Sequence, residues 1–442
     1  MKVVVVGGGL AGLAAAIECA DAGASVALLE ARPRLGGATF SIQRNGYWLD
    51  NGQHVALRCC TEYRAFLGRI GSEHLLAIQP RLDIPVLGEH GRATLSRSRL
   101  PAPLHLVSTL LRYRHLSARD RVAAFRAAGA LRTLDPEDAQ LDQQTFGAWL
   151  RAHGQSDRAI SVLWDLIALP TLNLHAERAS LMLAAKVFRT GLLDEADACD
   201  VAVPTVPLQH LHGDPARAAL EARGARVVLS ARVNAVEPEL RVHVGDGVEE
   251  ADAVVVAVPH HVAAELVPAG VLPPSTADGL GASPIVNLHL HYDRRVLDEP
   301  FAAAVDSPVQ WIFDRTAIAG VEEGQFLSIS LSGAEDEIGV PQADLRARYV
   351  PALERLLPAA RKAKLLEFFA TREPSATFKG VPGTFSLRPP PRTNVAGLYL
   401  AGAWTDTGWP ATMEGAVRSG LAAARAALAA PRPAERPAVE VA

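Results

Sequence analysis

The chain has few cysteines, and they form no recognisable metal or redox motif. Its 442 residues include four cysteines, whose spacing matches neither a zinc site nor a redox-active pair. These are Cys19, Cys59, Cys60 and Cys199. Scattered thiols of this kind favour a reducing cytoplasm. We therefore interpret them as packing residues and predict no metal site.

The chain also lacks a long uncharged apolar run. The nearest candidate, residues 3–17, is interrupted by glycines and is shorter than the roughly 18 apolar residues of a spanning helix. Lys2 is the one basic residue before it, so we expect neither a membrane span nor a secretory signal. Since 49% of the residues are apolar and 21% are charged, we predict a globular protein with two hydrophobic cores. The proline-rich tail, residues 432–442, is expected to be disordered.

Three consecutive glycines near the start predict a dinucleotide-binding turn. Residues 3–6 are uniformly apolar and β-branched, which predicts a buried parallel strand, and residues 10–22 have helical spacing. Gly7 permits the tight turn, Gly9 lets the backbone approach a pyrophosphate, and Gly12 lets the helix lie against the strand. The positive end of the helix dipole then faces the anion. The residues expected at the phosphates are Gly7, Gly9, Leu10, Ala11 and Gly12.

A second predicted strand, residues 25–29, is followed directly by an acidic residue. Glu30 lies 21 positions after Gly9, where a carboxylate can accept hydrogen bonds from ribose hydroxyls. This favours a free pair of hydroxyls over a 2′-phosphate. NAD and FAD share that feature, so the nucleotide end alone does not choose between them.

The two ends of the chain carry further glycine-containing motifs. Residues 30–37 follow the second strand and end in paired glycines, and residues 398–420 combine a short strand with the start of an alanine-rich helix. Both stretches resemble the flavin-binding segments of the amine oxidase and carotenoid desaturase superfamily. The resemblance implies FAD as the cofactor, with Arg32 along the adenosine and the helix N-terminus directed at the isoalloxazine.

Two positions depart from the pattern of that superfamily. Ala38 stands where many relatives have an arginine, and Ala403 stands where they have an aspartate. Each departure removes one charged contact and leaves the implied fold unchanged. The other residues that the resemblance places at FAD, these two included, are Glu30, Ala31, Arg32, Gly36, Gly37, Ala38, Gly52, Gln53, His54, Val233, Ala257, Pro259, Gly402, Ala403, Ala411, Thr412, Met413 and Ala416.

The resemblance implies an α/β fold in two discontinuous domains. A Rossmann-like FAD-binding domain, with a mostly parallel sheet and flanking helices, is expected from residues 1–85, 203–282 and 386–431. Strands within it are predicted at residues 225–229, 232–236, 253–259 and 398–402. An α+β substrate domain is expected from residues 86–202 and 283–385.

Two positions argue against amine oxidation. Asn287, on the predicted strand 283–292, stands where amine oxidases carry a lysine near the flavin. Thr412 stands where they carry a tyrosine that cages the amine. Residues 50–54 and 403–412 instead resemble the squalene-associated FAD-dependent desaturases. The activity of that family is hydroxysqualene dehydroxylation, on the route to squalene and hopanoids.

The resemblance implies a reaction on a long apolar isoprenoid. An allylic hydroxyl would be removed reductively, with hydride from the reduced flavin N5. Such a substrate requires an elongated apolar tunnel, which we expect to end near Gln53 and His54. The hydroxysqualene-forming synthase is a candidate partner. Two alternatives stay open: a carotenoid or polyprenyl desaturase that uses oxidised FAD, and a flavin-bound carrier or assembly component for a lipid intermediate.

His54 and Asp406 are the candidates for the acid that protonates the departing hydroxyl. In the family arrangement, their motifs flank the isoalloxazine. The alternative for His54 is a structural role in fixing the turn at Gly52, and for Asp406 it is capping of the C-terminal helix. His289 and His291 lie on one face of the predicted strand. Because no third ligand has a recognisable spacing, we interpret both as core residues.

The net charge of −4 conceals a basic segment, residues 97–132. This segment holds eight arginines and one acid, a balance of +7. Apolar residues recur within it at helical spacing: Leu100, Leu104, Val107, Leu110 and Leu111.

This combination predicts contact with an anionic membrane surface, at the inner face of the cell membrane. Arg112 and Arg114 would lie at headgroup level, and the tunnel would open beside the segment. The residues expected to dip below the headgroups are Leu104, Val107, Leu110 and Leu111. The alternative is an amphipathic helix packed on its own domain, with solvated arginines. Nucleic acid is disfavoured because aromatic residues for base stacking are scarce in the segment.

Overall fold

The computed structural model of the protein describes residues 1–88 and 91–430. The tail for which the sequence predicts disorder, residues 432–442, lies outside these ranges. The strands of the described residues are β1 Lys2–Val6, β2 Ser25–Leu29, β3 Ser41–Arg44, β4 Tyr47–Asp50, β5 Ala56–Leu57, β6 Leu76–Ile78, β7 Asp83–Gly88, β8 Gly91–Ser96, β9 Val201–Pro204, β10 Arg226–Val228, β11 Val233–Val236, β12 Arg241–Val244, β13 Gly247–Glu250, β14 Ala253–Val256, β15 Ser283–Tyr292, β16 Phe301–Ala304, β17 Trp311–Asp314, β18 Gln325–Ser332, β19 Leu365–Thr377 and β20 Leu398–Leu400.

The helices lie between or after these strands, and six of them follow one another between β8 and β9. The α-helices are α1 Leu10–Asp21, α2 Thr61–Arg69, α3 Val107–Arg112, α4 Ala118–Thr133, α5 Phe146–Ala152, α6 Asp157–Ala159, α7 Asp165–Leu172, α8 Leu181–Phe188, α9 Asp214–Ala222, α10 His260–Leu266, α11 Pro274–Leu280, α12 Thr316–Ala319, α13 Gln342–Leu356 and α14 Met413–Leu428. Short 3₁₀ turns occur at Glu73–Leu75, Leu104–Leu106, Ala139–Gln143, Ala360–Lys362 and Phe385–Leu387. Short π turns occur at Ile160–Trp164, Arg189–Leu193 and Gln209–Gly213.

A parallel sheet of five strands carries the predicted nucleotide-binding turn. Its strand order is β10-β2-β1-β14-β20, and every pairing in it is parallel. Because alternate side chains of a strand face opposite sides, Val3 and Val5 pack against α1 and α14, whereas Val4 and Val6 pack into a second core on the other face. The predicted Rossmann-like α/β class is therefore confirmed.

A mixed sheet of seven strands forms the other large layer. Its order is β19-β15-β18-β17-β16-β7-β8, in which β16 and β7 pair in parallel and the other neighbours are antiparallel. Helix α13 packs on one face of this sheet. β7 begins at Asp83, inside the segment 1–85 that the sequence assigns to the FAD-binding domain. The division into two domains stays a prediction.

Three smaller sheets complete the fold. β3 and β4 form a hairpin, β11, β12 and β13 form an antiparallel meander, and β5 and β6 both pair with β9. The hairpin leads directly into residues 50–54, and β5 follows them. The turn that carries Gln53 and His54 thus lies between the hairpin and β5.

The spacing of the apolar residues in the basic segment predicts one helix. In the structure these residues do not form one. Leu100 precedes any helix, Leu104 lies in a 3₁₀ turn, and α3 begins only at Val107. Pro101 and Pro103 explain the difference, because proline has no backbone N–H to donate within a helix. A second helix, α4, then carries the remaining arginines.

Candidate active site

The glycine turn after β1 has the geometry of a phosphate cradle. Gly7 has φ +104°, and its N–H donates to the carbonyl of Leu29 at 2.8 Å. A Cβ at Gly12 would lie 1.9 Å from the carbonyl oxygen of Gly7, so only glycine lets α1 pack there. At Gly9, in contrast, a Cβ would meet only the Cα of Gly37, at 3.6 Å. The space in front of Gly9 is therefore left open by the protein, as a bound pyrophosphate requires.

A second glycine pair lies against this cradle. The N–H of Gly36 donates to the carbonyl of Gly8 at 2.8 Å. Gly37 has φ +58°, and a Cβ there would come within 2.6 Å of the Cα of Gly9. Gly37 tolerates no side chain because the two loops approach each other so closely, and at Gly36 a Cβ would lie 2.6 Å from the carbonyl oxygen of Thr39 in the same loop. Leu10 and Ala11 form the buried first turn of α1 beside them.

The acid after β2 holds the cradle in place. The buried carboxylate of Glu30 accepts hydrogen bonds from the backbone N–H groups of Gly8, at 2.6 Å, and Arg32, at 2.7 Å. Ala31 and the Arg32 side chain are exposed beside it. Glu30 thus fixes the loop that would carry the phosphates, a role that its spacing alone does not reveal.

The C-terminal motif is built around the start of α14. The backbone N–H of Gly402 donates to Ser419 Oγ at 2.8 Å, and Thr412 Oγ1 accepts from the N–H of Gly415 at 3.1 Å. Thr412 is thus the N-cap of this 16-residue helix. Met413 and Ala416 belong to its first turn, Ala411 directly precedes the N-cap, and the carbonyl of Ala403 accepts a hydrogen bond from Arg388. The indole N–H of Trp404 donates to Val258, between Ala257 and Pro259.

Asp406 does not cap the C-terminal helix, which corrects one interpretation made from the sequence. Its side chain is exposed, and its carboxylate accepts the N–H of Gly408 at 3.3 Å within a tight turn. Thr412 takes the capping position instead. Asp406 also does not belong to the lining of the large cavity described below.

Residues 50–54 form a turn that is anchored from both sides. The carboxylate of Asp50 forms a buried ion pair with Arg315, from the segment after β17. Asn287 Nδ2 donates to the carbonyl of Asn51 at 3.2 Å. His54 Nδ1 lies 3.2 Å from the carbonyl oxygen of Gly52, and burial lowers the pKa of His54. These contacts support the structural role considered for His54.

Sequence reasoning misses Ser328, which contacts this turn, and His212, whose charge His54 influences electrostatically. Gln53 Nε2 donates to Ser328 Oγ at 3.0 Å, and the hydroxyl of Tyr63 lies 2.8 Å from His212 Nε2. Burial lowers the pKa of His212 to about 3, and nearby His54 adds to the shift. Ser328 and His212 belong to no motif, so no local signal identifies them.

His289 is a core residue, as predicted. Its Nε2 lies 3.0 Å from Thr371 Oγ1, its ring stacks on Phe369, and burial lowers its pKa to about 3. His291, in contrast, is only half-buried and is not the core residue that the sequence predicts; its Nδ1 lies 3.1 Å from the hydroxyl oxygen of Tyr47. Within residues 1–88 and 91–430, no group of three histidine, cysteine, aspartate or glutamate side chains is arranged to hold a metal ion.

A cavity of about 320 Å³ lies between the mixed sheet and the helices α3, α4, α7 and α8. Its wall is almost entirely apolar and includes Leu163, Phe188, Phe301 and Trp311. The polar residues on it include Gln53 from the anchored turn and Ser330 and Ser332 from β18. The opposite wall comes from the basic segment: Leu106, Val107, Leu110, Ala124, Phe125 and Ala128. A wall of this kind binds apolar ligands.

Three of the eight arginines of the basic segment have partners inside the protein. Arg97 pairs with the buried Asp200 at 2.6 Å, and Arg121 donates to the carbonyls of Leu111, Tyr113 and Leu116. Arg132 lies 3.9 Å from Asp194. Val107 and Leu110, predicted to dip into a membrane, line the cavity instead.

The outer surface of the segment combines exposed arginines with exposed large apolar residues. We call this the 99–126 surface; it consists of Arg99, Leu100, Leu104, Leu111, Arg112, Arg114, Arg119, Val122, Phe125 and Arg126. The apolar members are 48% to 64% exposed. None of the helices in the described ranges has the length and hydropathy of a membrane span.

Residues 10–428 match the family of flavin-containing amine oxidoreductases. The chain is 31% identical over 449 residues to a hydroxysqualene dehydroxylase from Rhodopseudomonas palustris, covering 97% of this chain and 98% of that one. It is 29% identical over 439 residues to a hydroxysqualene dehydroxylase from Sinorhizobium fredii, covering 96% and 97%. A 15-cis-phytoene desaturase from Narcissus pseudonarcissus is 27% identical over 454 residues, covering 95% and 78%.

The fold is shared with solved structures. A crystal structure of an oxidoreductase from Methanosarcina mazei superposes with a TM-score of 0.73 at 16% identity, covering 95% of this chain and 99% of that one. The superfamily and the cofactor expected from the two terminal motifs are confirmed. The chain belongs to the flavin-containing amine oxidoreductase family and is an FAD-dependent oxidoreductase.

Proposed function

We propose that this enzyme removes the allylic hydroxyl of hydroxysqualene reductively to give squalene. The observation that carries the proposal is the apolar cavity with Gln53, from the anchored turn, on its wall. A C30 isoprenoid alcohol has one polar group on a long hydrocarbon, which matches this distribution. The similarity to two hydroxysqualene dehydroxylases supports the same substrate.

In the reaction, the C–O bond breaks, one proton joins the departing oxygen to form water, and the carbon receives a hydride. Reduced FAD, when bound, supplies that hydride. The cavity wall excludes water and holds the hydrocarbon in one orientation. The glycine turns at Gly7 to Gly12 and at Gly36 and Gly37, together with the first turn of α14, would hold the cofactor.

His54 stays our candidate for the proton donor, because it adjoins Gln53. Its Nδ1 faces the carbonyl of Gly52, so the neutral ring carries its proton there and presents Nε2 as an acceptor. To act as the acid, His54 must first take up a proton at Nε2. Because burial lowers its pKa, the rate should fall as the pH rises towards neutrality, and His54→Asn should remove that dependence.

The decisive experiment is anaerobic incubation of the reduced holoenzyme with hydroxysqualene. Squalene formation together with flavin reoxidation supports the proposal. The similarity to a phytoene desaturase favours a second candidate, in which oxidised FAD accepts hydride from an allylic carbon. Dehydrogenation of a polyene by the oxidised enzyme, without dehydroxylation by the reduced one, would establish that reaction instead. A tight complex without turnover would indicate a carrier.

We further propose that the 99–126 surface rests on an anionic membrane. Its apolar side chains would enter the lipid, and its arginines would contact the headgroups at about 1 kcal/mol each. Phe125 belongs both to this surface and to the cavity wall, so substrate could pass from lipid into the cavity without crossing water.

Vesicle co-sedimentation tests this contact. The double variant Arg112→Glu and Arg114→Glu should bind anionic vesicles at least about tenfold more weakly than the wild type, and high salt should weaken wild-type binding. The matched control reverses two exposed arginines on α13, Arg346 and Arg355. Equal binding by the wild type and both double variants would contradict the contact.

A further inference from the structure

We infer that the side-chain amide of Gln53 is the recognition site for the hydroxyl group of an alcohol bound in the apolar cavity. This inference rests on the proposed function for the identity of the alcohol. It concerns the one place on the cavity wall where a buried side-chain acceptor has no partner among the described residues.

The two ends of the Gln53 amide have different surroundings. Nε2 donates to Ser328 Oγ at 3.0 Å, which fixes the amide against β18. Oε1 is buried, and the described part of the chain provides no hydrogen-bond donor for it. A buried acceptor is normally paired, so an unpaired one on a cavity wall indicates a donor supplied by a ligand.

A chain of polar groups holds the amide in place from behind. Ser328 Oγ lies 3.5 Å from His289 Nδ1, and His289 Nε2 lies 3.0 Å from Thr371 Oγ1. These residues stand on the adjacent strands β18, β15 and β19. Because the ring of His289 also stacks on Phe369, rotation of the histidine is restricted. The orientation of Gln53 is thus set before any ligand binds.

This arrangement distinguishes an alcohol from a hydrocarbon of the same length. The O–H of the alcohol donates to Gln53 Oε1, and the apolar remainder contacts the aliphatic and aromatic wall. Squalene lacks the hydroxyl and leaves Oε1 unpaired, so it binds more weakly. The same contact therefore selects the substrate and promotes release of the product.

The test measures binding, not turnover. Hydroxysqualene and squalene are titrated separately into the oxidised holoenzyme, and binding is followed through the flavin absorbance. We expect the wild type to prefer the alcohol by about tenfold, which corresponds to ~1.4 kcal/mol. Gln53→Leu should abolish the preference while squalene binds as before. Ser386→Ala, which removes an exposed hydroxyl outside the cavity wall, should retain the preference.

Ser328→Ala provides a second measurement from outside the turn. FAD content is determined first for each variant. If Gln53→Leu does not retain FAD, Ser328→Ala decides, since loss of the anchor should reduce the preference severalfold. If Gln53→Leu retains FAD and still prefers the alcohol over squalene as the wild type does, the inference is overturned. If Gln53→Leu loses FAD, the same preference in Ser328→Ala overturns it. The proposed function fails separately, if the reduced wild type binds the alcohol preferentially but forms no squalene.

Discussion

The nucleotide end and the cavity end of this enzyme are built by opposite means. At the nucleotide end the chain presents backbone: a Cβ at Gly37 would lie 2.6 Å from the Cα of Gly9, and a side chain at Gly9 would enter the phosphate space. At the cavity end it presents side chains, which come from helices, strands and loops spread over residues 53–332. The nucleotide end therefore depends on short stretches of consecutive residues, whereas the cavity end depends on the whole tertiary structure.

The largest expected effect is the loss of FAD from a variant that changes the nucleotide end alone. Gly9→Val should leave the protein folded, because only the Cα of Gly37 lies near the new Cβ, but the side chain would occupy the phosphate space. We expect FAD content after desalting to fall at least about tenfold, with an unchanged far-UV circular dichroism spectrum. Gly339→Val is the control, since a Cβ there meets nothing within 4 Å. Full FAD occupancy in Gly9→Val would refute the cradle.

The next prediction breaks the cavity end and leaves the nucleotide end intact. Ala128→Trp would fill part of the cavity of about 320 Å³. Squalene formation should fall by roughly a hundredfold, equivalent to ~2.7 kcal/mol, while FAD content stays at the wild-type level. Ala123→Trp, on the same helix but outside the wall, should have little effect on turnover. Unchanged turnover in Ala128→Trp would mean that the substrate does not occupy this cavity.

A third prediction concerns a property that the two ends share. His212 and His289 each have a pKa of about 3, against an ordinary value of 6.5, because both are buried. Below pH 6.5 the unfolded chain binds a proton that the folded chain does not, so stability is lost as the pH falls from 6.5 towards 3. Each histidine should contribute about 2 kcal/mol to the loss between pH 7 and pH 5.

Urea unfolding at pH 7 and pH 5 measures this loss. His212→Gln and His289→Gln should each reduce the difference between the two pH values by that amount, and the double variant should reduce it by the sum. His74→Gln serves as the control, because His74 lies in a short surface turn. If the difference in unfolding free energy between pH 7 and pH 5 is the same in both single variants as in the wild type, the two histidines do not have lowered pKa values.

The smallest effect concerns Thr412, the side chain that caps the C-terminal helix α14. Thr412→Ala removes the hydroxyl that caps α14, which should lower the free energy of unfolding by about 1 kcal/mol. Thr412→Ser retains the oxygen and should be close to the wild type. If both variants lower stability equally, the methyl group and not the cap determines the effect.

Patterns that are local in the sequence are predicted well. The predicted strands 25–29 and 283–292 coincide with β2 and β15, because their apolar residues identify them without knowledge of the fold. The helix predicted from the spacing of Leu100 and Leu104 is wrong, because prolines lie between these two residues. Superfamily resemblance identifies the flavin segments because their glycines serve a backbone geometry that few other residues allow.

The cavity end could not be predicted in the same way. Asp50 and Arg315 are 265 residues apart, and Gln53 and Ser328 are 275 apart, yet each pair is in contact. Nothing near Arg315 or Ser328 in the sequence indicates a partner on the hairpin of β3 and β4. Such pairs are brought together only by the packing of β15, β17 and β18 against the turn.

The position of β20 at the edge of the parallel sheet has a consequence for synthesis on the ribosome. The cradle at Gly7 emerges first, but β20 and α14 are made last. At 5–20 residues per second, about 20–80 s separate the two halves of the flavin site. Once β14 has been made, it has no neighbour on the side that β20 covers until residues 398–400 follow. The nascent chain therefore exposes an unprotected strand edge, and a supply of free FAD cannot protect it until translation is almost complete.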